Sequence, residues 1–102
     1  IVPDENKHLF YVSLAGDPLY SSTAGVACIS YDNNSLELIW KNQSELFSIL
    51  HGIDLSDNGS VVYANGRGDD HLHIFDAVNG SLIKSIYLGA HAMSAGIKSI
   101  AK

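Results

Sequence analysis

The second half of the chain alternates short apolar segments with Gly, Asn and Asp at close intervals, the punctuation of strands joined by tight turns. Residues 52–56 (GIDLS) predict a strand, Asp57-Asn58-Gly59 the positive-φ residues of a turn, and residues 60–65 (SVVYAN) the returning strand of a hairpin. Gly66-Arg67-Gly68-Asp69 is a second turn before a strand over residues 71–77 (HLHIFDA). Asn79-Gly80 turns the chain again, into a fourth strand over residues 81–88 (SLIKSIYL). Residues 96–100 (GIKSI) then resemble GIDLS in position and character, so four strands and a restart define one unit.

That unit occurs twice. Gly52-Ile53 recurs as Gly96-Ile97, and Tyr31-Asp32-Asn33-Asn34-Ser35-Leu36 returns, with a longer turn, as Phe75-Asp76-Ala77-Val78-Asn79-Gly80-Ser81-Leu82. Pro3 to Lys7, ahead of Leu9-Phe10-Tyr11-Val12, answers Ser56 to Ser60, ahead of Val61-Val62-Tyr63-Ala64. The period of about 44 residues falls in the range of propeller blades. The copies diverge over residues 14–25, where LAGDPLYSSTAG replaces the compact NGRGDD turn. Added length in a repeat collects in loops on one face, often the binding face, which makes this segment, with Asp17 and Tyr20, a candidate contact for a ligand or partner.

The run HGIDLSDNGSVVYANGRGDDHLHIFDAVNGSLIKSIYLGAH closely resembles the YVTN-type blade shared by lactonase-like and quinoprotein-type β-propellers, well over residues 51–100 and loosely over 1–50. It departs from that pattern where Asn58-Gly59 replaces the usual Asp-Gly-Lys, and the first copy lacks the NRGDD turn. The resemblance implies an all-β fold: about two four-stranded antiparallel blades of a larger, seven-bladed ring, with residues 52–56 and 96–100 as inner strands. Residues 1–50 form the first blade in this reading, with most of its inner strand missing. Residues 51–95 form the second, and 96–102 the inner strand of a following one. A blade has two faces to cover, so the expected partners are the remaining blades of the same propeller or other copies of the chain. Ends that fall inside the repeat, without an initiator Met, favour continuation into further sequence.

Composition narrows the classes. Of the residues, 46% are hydrophobic and 17% charged, which excludes disorder. A net charge of −5, with Lys and Arg scattered, argues against nucleic acid and anionic membranes, and no apolar run is long enough for a span. The single Cys28 lies in an alternating stretch and reads as a small buried hydrophobe.

Candidate chemistry is sparse. His51 and His91 precede inner strands, where propellers place metal ligands at the channel mouth, so a metal cofactor through them is one expectation. His71 and His73, at i and i+2, share a strand face, a spacing that can chelate a metal but also arises whenever a strand shows its polar face, which is the simpler account. Arg67-Gly68-Asp69 resembles an integrin-binding tripeptide, but turn chemistry accounts for it. Asp54, Asp69 and Asp70 could act as bases or cation ligands, and the ligand-contact candidates are His51, Asp54, Asp17, Tyr20 and Arg67. Asn33, Asn42, Asn58 and Asn79 each begin an N-x-S triplet, which points to glycosylation and to a secreted, periplasmic or cell-surface protein. The functional expectation is a non-catalytic scaffold binding a protein or small molecule. Its alternatives are part of a lactonase or cycloisomerase-like enzyme, whose catalytic Glu, Arg and His find no counterpart in this sequence, and a metal-binding redox propeller.

Overall fold

The computed structural model describes residues 1–17, 19, 22–32 and 34–89. They form eight strands in two antiparallel sheets: β1 (Val2–Asp4), β2 (Leu9–Leu14), β3 (Gly25–Asp32) and β4 (Ser35–Gln43), then β5 (Leu50–Leu55), β6 (Val61–Gly66), β7 (His71–Asp76) and β8 (Leu82–Tyr87). Each sheet pairs its strands in sequence order. This is the economical result of tight turns, because each returning strand meets its predecessor at once. The expected strand over 96–100 lies outside the described residues.

Turn chemistry sets the boundaries. Ser56, expected as a strand end, instead accepts the Ser60 and Val61 N–H groups on its hydroxyl, while Asn58 Oδ1 accepts the Ser60 N–H and hydroxyl, so Gly59 turns at φ +73. Strand β5 begins earlier than expected because Leu50, only 1% exposed, is drawn into the core and pairs with Gly66. The register then slips between Leu50 and Gly52, leaving His51 as the extra residue of a bulge, exposed.

The sheets pack face to face. Strand alternation turns Tyr11, Val26, Cys28 and Trp40 of the first sheet toward Val62, Ala64 and Phe75 of the second, and these join Phe47, Leu50 and the turn residue Ala77 in one core. The first strands of the two sheets lie beside each other, with β5 in contact with β1 and β2. At the far edge, Trp40 Nε1 donates to Ala77 O at 3.0 Å and Asn42 Nδ2 to Gly80 O at 2.8 Å. Gly80 is required there twice over: its φ is +77, and a Cβ would strike the Trp40 ring. Cys28 is buried, as expected, beside Tyr11. Burial, together with the nearby Cys28 and Asp4 charges, pushes the Tyr11 phenol up to about 12, and burial likewise raises the Cys28 thiol.

Candidate functional site

The meander gathers three connections at one end of the sandwich: residues 15–24 between β2 and β3, residues 44–49 between the sheets, and residues 67–70 between β6 and β7. Backbone bonds tie the last two together, from Arg67 N–H to Ile49 O and from Gly68 N–H to Ser48 O. Ser13 at the end of β2 adds a hydroxyl bond of 2.8 Å to His51 O. Asp17, His51 and Arg67, expected from sequence as ligand contacts, all belong to this end.

One element there is a polar clamp centred on Asp69. Asp69 accepts the His71 N–H on Oδ1 at 3.0 Å and the Ser48 N–H on Oδ2 at 2.9 Å. Its Oδ2 also lies 2.9 Å from His73 Nε2, while His73 Nδ1 lies 2.8 Å from Ser85 Oγ on β8. The carboxylate therefore fastens the turn to the inter-sheet connection, to β7 and, through the imidazole, to the outer strand. Gly66 is a glycine because a Cβ there would run into the Asp69 carboxylate. The sequence expectation that His71 and His73 stand on a polar strand face is corrected for His73. The two rings do share a face, stacked at 5.8 Å, but His73 is only 3% exposed and meets Phe47 edge-on at 4.7 Å. A buried imidazole is tolerated because both ring nitrogens have partners. A small cleft of about 240 Å³ opens beside it, lined by Leu46, His71, His73, Leu82 and Ser85.

Another opening lies against the first sheet. Residues 15–17 and 22–24, with the 45–49 stretch, enclose a cleft of about 390 Å³, lined by Ala15, Asp17, Thr23, Glu45, Phe47 and Ile49 among others. Its loop is braced across its base, where Asp17 and Ser22 exchange backbone bonds of 3.0 Å and Asp17 Oδ1 accepts the Leu19 N–H at 2.9 Å. The cleft combines an apolar wall with two carboxylates, a lining suited to a ligand carrying a positive group on an apolar body. A second hollow, of about 380 Å³, lies at the opposite end between Glu5–Lys7 and the 57–59 turn, where Asp4, Glu5 and Asp57 stand with Lys7.

The remaining candidates scatter. Asp54 lies mid-strand in β5 opposite Tyr63, on the face of the second sheet turned away from the first, and its Oδ1 accepts the Leu55 N–H. Tyr20, His91 and Asn33 lie outside the described residues. Among the described residues no group of three or more His, Cys, Asp or Glu side chains could hold a metal ion. Asn58 and Asn79 are exposed in turns, whereas Asn42 is half-buried and spends its Nδ2, the atom a glycan would occupy, on the bond to Gly80. Sequence reasoning missed Glu45, Phe47, Ser48 and Ser85, which act only through neighbours brought in by the fold. No helix among the described residues is long and apolar enough to cross a membrane. No protein-family model, no curated protein and no solved structure matches this chain.

Proposed function

We propose that the two sheets are consecutive blades of a secreted or surface β-propeller that acts as a binding scaffold, taking its ligand in the cleft that residues 15–17 and 22–24 form with residues 45–49. The observation that carries this reading is the place where the repeats diverge. Within the diverging stretch, residues 15–17 and 22–24 lie beside the inter-sheet connection and form one wall of an opening with Phe47 at its apolar side and Asp17 and Glu45 as its charges. The net charge of −5 adds a field that attracts cations. A protein segment presenting a lysine, or a small aryl amine, fits that chemistry.

The experiment is an amide NMR titration with benzylammonium as probe. Binding in the cleft shifts Gly16, Thr23, Glu45 and Ser48 together, and the pair Asp17→Asn with Glu45→Gln weakens the probe about tenfold, the loss expected for one charge-assisted contact of about 1.4 kcal/mol. Shifts confined to the opposite end of the sandwich would refute the placement.

The hydrogen-bonded run Asp69, His73, Ser85 supports a second reading, hydrolysis, because a serine hydroxyl 2.8 Å from an imidazole held by a carboxylate is the arrangement that activates a nucleophile. Against it, Asp69 is already engaged by two backbone N–H groups, and the imidazole is interior. Labelling of Ser85 by a fluorophosphonate, abolished in His73→Gln, would establish the second reading.

A further inference from the structure

The two sheets are built from one repeat, so the interface already present inside the chain specifies what its two remaining faces can accept. In the repeat, Phe10 and Val12 of β2 take the places of Val62 and Ala64 of β6, and Tyr31 of β3 takes that of Phe75 of β7. Val62, Ala64 and Phe75 are 0% exposed because the first sheet covers them. Phe10, Val12 and Tyr31 sit on the opposite face of the first sheet, only half-buried, and Leu38, paired to Ile29 on that same face, is 54% exposed. The converse holds for the second sheet. Tyr11 and Trp40 look inward from the first sheet, while their counterparts Tyr63 and Ile86 lie on the second sheet's outward face, where Leu72 pairs with Ile86, itself 37% exposed.

Each molecule therefore carries both halves of one interface, one on each outer face. We propose that this chain associates head to tail, the outward face of the first sheet (Phe10, Val12, Leu38) receiving the outward face of the second sheet (Tyr63, Leu72, Ile86) of another copy. The contact repeats the packing seen within the chain, so it is heterologous and propagates until the ring closes. With two sheets per copy and rings of about four to eight blades, closure takes two to four copies. This inference rests on the blade reading of the two sheets and is independent of the ligand assigned to the cleft.

The test is sedimentation velocity of the 102-residue chain across micromolar concentrations, with Leu38→Glu and Ile86→Glu, both exposed positions where a charge is solvated in the single molecule. The unaltered chain is expected at a multiple of 11.0 kDa, and each variant alone at a single copy, its association lost. Mixing the two variants restores one intact pair of faces, and the complex stops at two copies. That rescue cannot come from a misfolded variant. A single-copy mass for the unaltered chain at every concentration would overturn the proposal and assign both faces to other blades. So would loss of association in Leu38→Glu but not in Ile86→Glu, the mark of like faces pairing. The benzylammonium titration on the single-copy variants reports on the cleft regardless of either result.

Discussion

The connection between β2 and β3 and the one between β6 and β7 occupy the same place in the repeat, yet they are held in different ways. In the second copy, four residues, Arg67 to Asp70, make the turn, and the Asp69 carboxylate draws Ser48, His71 and His73 onto it. In the first copy the span is Ala15 to Ala24. Gly25 and Ile29 stand at the repeat positions of Asp69 and His73, so the clamp has no counterpart, and the loop is braced by the bridge of Asp17 with Ser22. Where the clamp closes the end of the second sheet, the first is free to widen into a cleft. The clamp and the proposed binding cleft thus fall in different copies of the repeat.

Removing the clamp is the harshest way to break that contrast. Asp69→Ala strips three bonds to a charged acceptor and leaves His73 buried with one partner, and the unfolding free energy in urea is expected to fall by about 3 kcal/mol or more. Gly80→Ala strikes the join between the sheets instead. A positive φ and the Trp40 ring both oppose the added methyl group, and the expected loss is about 2 kcal/mol by the same measurement.

A milder effect comes from alkali. Because Tyr11 titrates near 12 in the fold against an ordinary value near 10, the unfolded chain releases its proton first as pH rises. Stability that is intact below about pH 10 is therefore lost progressively toward pH 12, and Cys28, also raised, adds in the same direction from a lower starting pH. Denaturant midpoints between pH 9 and 12 should fall less steeply in Tyr11→Phe. The smallest effect belongs to the open loop. Asp17→Ala, the partner of Asp69→Ala in the comparison, should change stability by no more than about 0.5 kcal/mol while weakening the cleft for benzylammonium. A loss approaching that of Asp69→Ala would erase the contrast between the ends.

The alternation of residues 52–88 with Asn-Gly and Asp-Asn-Gly turns made the strands legible, because local φ preference and period-two burial suffice to place them. The insertion between β2 and β3 was legible for the same reason, as a break in a repeat. The clamp was not. His71 and His73 have the spacing of a solvated face, and His73 is interior only because Phe47 arrives from the inter-sheet connection and Ser85 from β8. Ser85 reaches it through a register that slips between Ile74 and Phe75, an irregularity no periodicity announces. An Asp in a tight turn followed four residues later by a His was the one sequence signal for the pair. The cleft was half-legible, since Asp17 lies in the insertion but Glu45 and Phe47 come from a stretch with no strand or turn signature of its own.

The contrast between a clamped and an open end is tested most directly by native-state hydrogen exchange read residue by residue. The Ser48 and His71 amides, which donate to Asp69, should exchange only with opening of the second sheet, and Asp69→Ala should accelerate both toward the rate of the Leu19 amide in the open loop. Exchange of Ser48 and His71 in the unaltered chain as fast as that of Leu19 would contradict the account.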